Sequence, residues 1–239
     1  MITLRLFGSL CELTNGKYLF QFDPGINQTI KDCIERLGVP HTEVAFITLN
    51  KRFVDFSKIV ENGDFYCVYP HSLLIDEEFL LTPVYQGEPK FVLDIHLGKL
   101  ARLLRMFGLY AEFGMIDDDG IVEKAKRVNG IILTRDRKLL MRKDIVFGYI
   151  VRSDFPEIQF KEVYHRYSLK NWLKPFTRCI ECNGNLVVID KNYIVGKVPP
   201  RVFETHDNFA LCDKCGKVYW SGTHHKHMLE RINTLLPAD

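Results

Sequence analysis

The sequence predicts an α/β protein with a parallel-sheet domain in the middle of the chain, a smaller α+β domain before it and a cysteine-rich ribbon after it. Strand-like and helical segments alternate between residues 90 and 166, which is typical of parallel strands joined by helices. Four cysteines near the C-terminus form two Cys-x-x-Cys pairs. Residues 81–89 contain two prolines and a glycine and are predicted to be a linker. We therefore expect domains over residues 1–80, 90–171 and 172–239.

The composition is that of an ordinary globular protein. Apolar residues make up 46% of the 239 residues and charged residues 26%, and no run of eighteen apolar residues predicts a membrane span. The first 80 residues carry 7 Lys and Arg against 11 Asp and Glu, whereas the remainder carries 25 against 19. The basic remainder is the part suited to nucleic acid, although such a difference is also common on solvated surfaces.

The seven cysteines favour a reducing compartment. An odd number, with four in closely spaced pairs, is typical of metal ligation and not of a disulfide framework. We therefore expect a soluble, cytoplasmic protein. The other three, Cys11, Cys33 and Cys67, lie among apolar residues in the sequence and are predicted to be small buried hydrophobic residues.

The first segment combines strands with one helix. Two strands, ITLRLF and YLFQF, are separated by a turn at Asn15-Gly16, and a helix is predicted from Thr29 to about Leu37. Three further strands are predicted at VAFITLN, KRFVDF and FYCVYP. Two strands, a helix and then more strands indicate a small α+β grasp.

The middle segment alternates strands with helices, and the last segment is a small ribbon. The middle strands are predicted at KFVLDI, LYAEFGMI, GIILTRD and IVFGYIVRS. The middle helices are predicted at GKLARLLRMFG, from about Asp119 to Val128, at RKLLMR, and from Pro156 to about Arg166. In the ribbon we expect two short strands, LVVID and YIVGKVP, and a final helix, HHKHMLERINTLL.

Acidic residues follow three of the four middle strands. They are Asp94 after the first strand, Asp117, Asp118 and Asp119 after the second, and Asp136 after the third. Because functional groups gather beyond the carboxyl ends of parallel strands, we expect these carboxylates to lie close together and to need a divalent cation. Magnesium or manganese suits such oxygen ligands, and a site of this kind hydrolyses phosphodiesters with water as the nucleophile. The alternative is that the aspartates are helix N-caps, as Asp118 or Asp119 would be for the helix that follows.

Basic side chains accompany the acidic positions in the sequence. One set recurs at helical spacing after the first strand and the other flanks the third acidic position: Lys99, Arg102, Arg105, Arg135, Arg137 and Lys138. We predict that they bind the backbone phosphates of a nucleic acid. The alternative for the first set is the solvated face of an amphipathic helix.

Each Cys-x-x-Cys pair predicts a tight turn that points two thiolates at one metal ion. The pairs are Cys179 with Cys182 and Cys212 with Cys215, and four thiolates complete the tetrahedral shell of a structural zinc ion. A redox role for either pair is the alternative.

Aromatic and histidine side chains follow the second pair. Tyr219 and Trp220 either stack on nucleic-acid bases or pack against the ribbon. The other group, His224, His225 and His227, either forms a further metal site or faces RNA from the last helix.

The order of these motifs resembles the Mut-seven C-terminal ribonuclease family, in which a PIN-like nuclease domain is fused to a zinc ribbon. The resemblance covers residue 90 to the C-terminus and is carried by KFVLDIHLGKLARLLRMFG, IILTRDRKLL, CIECNG and CDKCGKVYWSGTHHKHM. It implies an acidic metal site held by Asp94, by Asp136 and by Asp117 or Asp118, with Asp118 preferred.

The first segment resembles the ubiquitin-like domains related to the sulfur carriers of thiamine and molybdopterin synthesis. The resemblance is carried by RLFGSL, LGVPHTEV, LNKRFVDF and NGDFYCVYP. Those carriers end in an exposed Gly-Gly tail, and this chain contains no Gly-Gly pair. The resemblance therefore implies a docking or scaffolding role with a protein partner in place of sulfur transfer.

Two functional hypotheses follow. In the first, the chain is a ribonuclease that hydrolyses RNA with magnesium or manganese, and its zinc ribbon helps to bind RNA. A fourth acidic ligand, which many PIN-like domains have, would be Asp144 or Asp154, so the number of catalytic metal ions stays open. In the second hypothesis, the chain is an RNA-binding or adaptor protein without catalysis, and its aspartates are helix caps.

Overall fold

A computed structural model of the chain describes residues 1–71 and 76–236. The chain divides into two compact units, Met1–Gly87 with Met115–Arg152 and Glu88–Gly114 with Ser153–Asp239. Residues 72–75, which belong to the segment where a carrier tail would begin, lie outside the described residues. Within the described ranges, no helix has the length and apolar character needed to cross a membrane.

Strands and α-helices follow one another along the whole chain. The strands are β1 (Ile2–Leu6), β2 (Leu19–Phe22), β3 (Val44–Leu49), β4 (Arg52–Val54), β5 (Phe65–Pro70), β6 (Lys90–Leu93), β7 (Tyr110–Phe113), β8 (Ile131–Thr134), β9 (Gly148–Ile150), β10 (Leu186–Ile189), β11 (Phe209–Cys212) and β12 (Val218–Trp220). The helices are α1 (Ile30–Arg36), α2 (Gly98–Met106), α3 (Asp118–Val128), α4 (Arg137–Leu140), α5 (Pro156–Arg166), α6 (Pro200–Thr205) and α7 (Thr223–Leu235).

The first five strands form a mixed sheet in the order β2-β1-β5-β3-β4. β1 pairs in parallel with β5, and the other neighbours pair antiparallel. Helix α1 begins with a capping box, because the Thr29 hydroxyl accepts from the Asp32 N–H and the Asp32 carboxylate accepts from the Thr29 N–H, which satisfies two otherwise unpaired donors. The predicted grasp topology is confirmed.

The three cysteines of the grasp differ in burial. Cys33 is buried on α1, as predicted, but Cys11 and Cys67 are only half-buried, so that the prediction was wrong for these two. The reason for Cys67 is the period of two along a strand. Its neighbours on β5, Tyr66 and Val68, are fully buried, which places the thiol between them on the opposite face of the sheet.

A buried charged network ties the grasp to β9. The 3₁₀ helix His41–Glu43 contacts this strand, and the Glu43 carboxylate accepts from the Ile150 N–H at 2.6 Å and from Arg152 Nη2 at 2.9 Å. Burial alone would lower the pKa of Arg152, but the carboxylate beside it raises that pKa above its ordinary value. The first unit therefore holds its two chain segments together with ionic side chains.

The second segment of the first unit is a parallel strand pair with two helices. β8 pairs in parallel with β9, α3 packs against β8, and α4 packs against both strands. All four residues of β8 are buried, as expected of a strand covered on both faces. Helix α3 supplies Ile121, Val122 and Ala125 as its buried residues, and their helical spacing accounts for its packing.

The second unit contains a further parallel pair, β6 with β7. Helix α2 packs against β7 and α5, and the rings of Phe107 and Phe160 stack with their centroids 4.2 Å apart. Gly108 follows α2 with a φ of +86°, and a Cβ at this position would lie 2.0 Å from the Lys174 carbonyl oxygen. Glycine is needed here because any side chain would displace the segment that leads into the ribbon. The prediction of an α/β fold with parallel strands is confirmed.

The ribbon is an antiparallel sheet of β10, β11 and β12. The sequence predicted β10 but neither of the other two strands, and its strand at YIVGKVP was wrong. A 3₁₀ helix, Lys191–Ile194, occupies the start of that segment, since the Asp190 carboxylate accepts from the Asn192 N–H. Ile194 and Val198 are spaced four residues apart and both enter the ribbon core with Phe209.

Candidate functional site

Four thiols converge within the ribbon. The Sγ atoms of Cys179, Cys182, Cys212 and Cys215 all lie within 4.8 Å of one another. The closest pairs are Cys182 with Cys212 at 3.3 Å and Cys179 with Cys215 at 3.8 Å. Among the described residues, this is the one group of three or more His, Cys, Asp or Glu ligand atoms that lies so close together. Four sulfur atoms around one point are the ligand set of a structural zinc ion.

The residue after each cysteine pair shapes the turn. Asn183 and Gly216 have φ values of +66° and +70°, the left-handed conformation that favours glycine or asparagine. A Cβ on Gly184 would lie 2.7 Å from the Cys212 sulfur, so that glycine is required where the two turns approach each other. The Lys214 N–H points at the same sulfur from 3.4 Å.

Hydrogen bonds and burial act on the thiols in opposite directions. The Tyr219 hydroxyl lies 3.0 Å from the Cys179 sulfur. Burial opposes ionisation of Cys179, but the bonds from Tyr219 and from backbone N–H groups lower the pKa of this thiol below its ordinary value. Burial raises the pKa of Cys182. A bound cation is what would hold all four groups as thiolates.

Arg105 belongs to this cysteine centre, and its assignment to RNA was wrong. The residue is only 2% exposed. Its Nε donates to the Ala111 carbonyl oxygen at 2.7 Å, and its Nη1 donates to the carbonyl oxygens of Ile180 and Glu181 at 3.0 and 2.8 Å. The guanidinium carbon lies 4.9 Å from the centroid of the Phe113 ring. Its donors are therefore directed at the backbone of the first cysteine turn and not at solvent.

Asn183 completes this junction from the ribbon side. Its Oδ1 accepts from the Ala111 N–H at 3.0 Å, and its Nδ2 donates to the Glu112 carboxylate at 3.1 Å. Both backbone groups of Ala111 are thus bonded, the N–H to Asn183 and the carbonyl to Arg105. Glu112 was not among the predicted acidic residues, because it lies inside a strand and not at its end.

Asp94 lies in the second unit, directly after β6. Its Oδ1 accepts from the His96 N–H at 3.4 Å, at the start of the 3₁₀ helix Ile95–Leu97 that leads into α2. The three residues before it, Phe91–Leu93, are buried, and Asp94 is half-buried. The strand therefore delivers this carboxylate to the edge of the core, where a helix begins.

The remaining acidic residues lie in the first unit, at the starts of α3 and α4. Asp117 is the N-cap of α3 and accepts from the Gly120 N–H at 2.8 Å, and Asp118 follows it as an exposed residue of the first turn. Asp136 is the N-cap of α4, and its Oδ1 accepts from the backbone N–H of Lys138 at 2.7 Å. The alternative interpretation of the sequence placed the cap of α3 at Asp118 or Asp119, which is one or two residues after its actual position at Asp117.

Capping does not prevent these carboxylates from binding a cation. An ionised carboxylate has two oxygens with about four lone-pair sites, and both bonds that Asp136 accepts from α4 use the single oxygen Oδ1. Asp94, Asp117 and Asp136 are therefore held by backbone N–H groups at the starts of their helices.

Comparison with protein families decides what kind of protein carries these features. Residues 89–232 match the family described as the Mut7-C RNAse domain. The chain belongs to the Mut7-C RNAse domain family. Residues 15–76 match the family described as Mut7-C ubiquitin, which agrees with the grasp topology and confirms the resemblance seen in the sequence. No curated protein and no solved structure matches the chain.

Five predicted RNA contacts of the Mut7-C RNAse region reach the surface to different extents. Four of them are exposed and one, Arg137, is half-buried: Lys99, Arg102, Arg135, Arg137 and Lys138. Arg137 Nη1 would lie 2.8 Å from a Cβ on Gly38 of the grasp, so that its guanidinium covers this glycine. Arg102 Nη2 lies 3.3 Å from the Glu181 carboxylate.

The two candidates for a fourth acidic ligand differ in their surroundings. Asp144 accepts from Lys126 at 2.8 Å and from Arg142 at 3.2 Å, and these cations hold the pKa of its carboxyl well below the usual range. Asp154 is exposed and precedes α5 in the second unit. Asp144 therefore already has two cationic partners.

Proposed function

We propose that the chain is a ribonuclease that hydrolyses RNA phosphodiester bonds and depends on magnesium or manganese. The match of residues 89–232 to the Mut7-C RNAse domain carries this proposal. A ribonuclease domain implies RNA as the substrate, and a ubiquitin-like domain suggests an interaction with a protein. The finer assignments below are supported by the chemistry of the side chains.

The acidic residues are proposed as the ligands of the catalytic cation. Asp94, Asp118 and Asp136 are the first choice, with Asp117 as the alternative to Asp118. Carboxylate oxygens are the ligands that Mg²⁺ and Mn²⁺ prefer. A cation bound there would supply acidified water and stabilise the negative charge that develops on the phosphate.

The chain's own cations are proposed to hold the RNA backbone. The set is Lys99, Arg102, Arg135, Arg137 and Lys138, and Arg105 is removed from it because it is buried. Exposed ammonium and guanidinium groups bind phosphates without regard to base sequence. This set would therefore position the strand and would not select a sequence.

We also propose that the four thiols hold one structural zinc ion. With four protein ligands the ion has no open position for a substrate, so that the contribution of the ribbon is to stability and to RNA binding. Metal analysis of the purified chain should find one zinc ion per chain. The Cys182→Ser variant should lose it, and equal zinc content in both proteins would contradict the assignment.

The grasp is proposed to bind a protein partner in the cytoplasm. None of the seven cysteines forms a disulfide, which suits a reducing compartment. The ubiquitin-like topology of the grasp supports docking. Sulfur transfer is not supported, because the chain contains no Gly-Gly pair.

Cleavage of labelled RNA by aspartate variants tests the ribonuclease proposal. Asp94→Asn and Asp136→Asn should each abolish the cleavage seen with manganese while leaving the circular dichroism spectrum unchanged. Asp190→Asn is the matched control, because Asp190 also caps a 3₁₀ helix through a backbone N–H at 2.8 Å but lies in the ribbon. Full cleavage by the first two variants would contradict the proposal.

The second candidate function is a non-catalytic RNA-binding or adaptor protein. The observation in its favour is that Asp94, Asp117 and Asp136 all act as helix caps, which such a protein would also need. It predicts RNA binding that weakens with salt but is indifferent to manganese and to both aspartate variants.

A further inference from the structure

A groove of about 490 Å³ lies between β12 and the start of α7 in the second unit. Its volume falls within the range of about 300–1,000 Å³ that is typical of small-molecule sites. The side chains that matter here are Lys217, Tyr219, Trp220, His224, His225 and Met228. No predicted acidic ligand and no cysteine lines the groove, so that it is separate from the residues assigned above.

Two ring systems in the groove pack closely against neighbouring residues. Trp220 is partly buried against the ribbon core, and a Cβ on Gly222 would lie 2.8 Å from its Nε1, so that the following turn fits closely around the indole. The His225 ring packs on Phe176 with their centroids 4.2 Å apart. Rings that are already ordered lose little conformational entropy when a flat ligand stacks on them.

The charge around the groove favours an anion beside the flat ligand. Among the described residues that line the groove, Glu181 has the one acidic side chain, and its carboxylate lies 3.3 Å from both Lys217 Nζ and Arg102 Nη2. The first turn of α7 contains no acidic residue. Two cations therefore surround one carboxylate, and a net positive charge is left for a phosphate.

We propose that this groove binds one unpaired base of single-stranded RNA, with its flanking phosphate on Lys217 and His224. Aromatic rings next to cationic side chains are the combination with which proteins hold single strands. The inference rests on the proposed ribonuclease function and deepens it, because it assigns a holding site for the substrate strand to the ribbon. It also accounts for a half-exposed tryptophan beside a basic rim.

The fluorescence of Trp220 reports on this site directly. The chain has two tryptophans, Trp172 and Trp220, so that the Trp172→Phe variant leaves Trp220 as the sole reporter. An oligouridylate of about ten nucleotides, within the range of single-strand sites, should quench its emission in buffer without added divalent metal. An abasic strand of the same length should bind more weakly and should not quench.

Substitutions along α7 separate the groove from the rest of the ribbon. His225→Ala should weaken oligouridylate binding about fivefold or more, the effect of removing one base-stacking ring. His227→Ala, on the same helix but outside the groove lining, is the matched control and should change it less than twofold. Lys217→Ala should lower the slope of log affinity against log salt by about 0.7, the share of one phosphate contact on a single strand. Lys197→Ala, which removes an exposed lysine of the ribbon outside the groove lining, should leave the slope unchanged.

The outcomes separate this inference from the proposed function. Equal quenching by the abasic strand, or no quenching by oligouridylate, would overturn the base site. Asp136→Asn should lose cleavage and keep the quenching. If instead the unaltered chain cleaves no RNA with manganese while the groove still binds RNA, the ribonuclease proposal fails and the base site stands.

Discussion

The Mut7-C RNAse region is joined to its two neighbours by different chemistry. In the first unit, the grasp contacts β9 through the Glu43 carboxylate, whose side chain is 3% exposed, and Arg152 supplies the opposite charge. In the second unit, the ribbon contacts β7 through the neutral amide of Asn183, and the partners of Arg105 are backbone carbonyl groups. The grasp junction buries an ion pair, and the ribbon junction buries a guanidinium group among neutral carbonyl and amide groups.

The difference appears in the pKa values of the two guanidinium groups. Burial lowers the pKa of Arg105, with only partial compensation from Glu112. Arg152 is also buried, but Glu43 raises its pKa. A guanidinium withstands the first environment because it is weakly hydrated and stays charged in proteins. The ribbon junction therefore depends on the hydrogen bonds that Arg105 Nε and Nη1 donate to backbone carbonyl groups, whereas the grasp junction depends on one pair of charges.

The largest expected effect comes from breaking the ribbon junction. Arg105→Met should lower the free energy of unfolding by about 3–5 kcal/mol, because one buried and two partly buried hydrogen bonds to carbonyl groups lose their charged donor at about 1–3 kcal/mol each, offset in part by the apolar replacement. Urea denaturation followed by circular dichroism measures the change. Arg102→Met is the matched control, since it removes an exposed arginine one turn earlier on α2 and should cost less than about 1 kcal/mol. Equal losses in the two variants would contradict the role given to Arg105.

The case of Arg105 also shows where sequence patterns stop being informative. Lys99, Arg102 and Arg105 recur every three residues, which suggests one solvated face. A helix turns about 100° per residue, so that each step of three falls about 60° short of a full turn. Arg105 therefore points about 120° away from Lys99, into the core. The helical spacing contained this information, but the acceptors at Ile180 and Glu181 are about 75 residues away in the sequence and leave no local signal.

Local patterns predicted most elements and the cysteine centre, and they failed where pairing is distant. The helix start at Thr29 and the two Cys-x-x-Cys turns are short-range features, and the sequence predicted both. The strands β11 and β12 were missed because they are three or four residues long and adjoin cysteines that were interpreted only as ligands. Glu43 and Arg152 are 109 residues apart in the sequence, and the residues around either one do not predict this contact.

The grasp junction should respond to the loss of one charge. Glu43→Gln should lower the free energy of unfolding by about 2–3 kcal/mol, because it leaves Arg152 buried with half of its counter-charge removed. It should also speed hydrogen exchange at the Ile150 N–H, whose acceptor is Glu43. Glu12→Gln is the matched control, since Glu12 lies 2.9 Å from the same arginine but is 62% exposed, and it should cost less than about 1 kcal/mol. Similar losses would mean that burial does not govern this junction.

The smallest effect is expected for the exposed ion pairs that Asp144 forms within the first unit. Arg142 and Lys126 hold the pKa of the exposed Asp144 carboxyl below its ordinary value of 3.8. A lowered folded pKa contributes stability that is present above pH 3.8 and is lost as the pH falls below it. Asp144→Asn should therefore shift the urea midpoint slightly at neutral pH, less than Glu43→Gln does, and the shift should shrink both in acid and in about 1 M salt, which screens exposed charges. A shift that grows in acid would reverse the sign of this argument, and one that withstands salt would place Asp144 with the buried charges of the grasp junction.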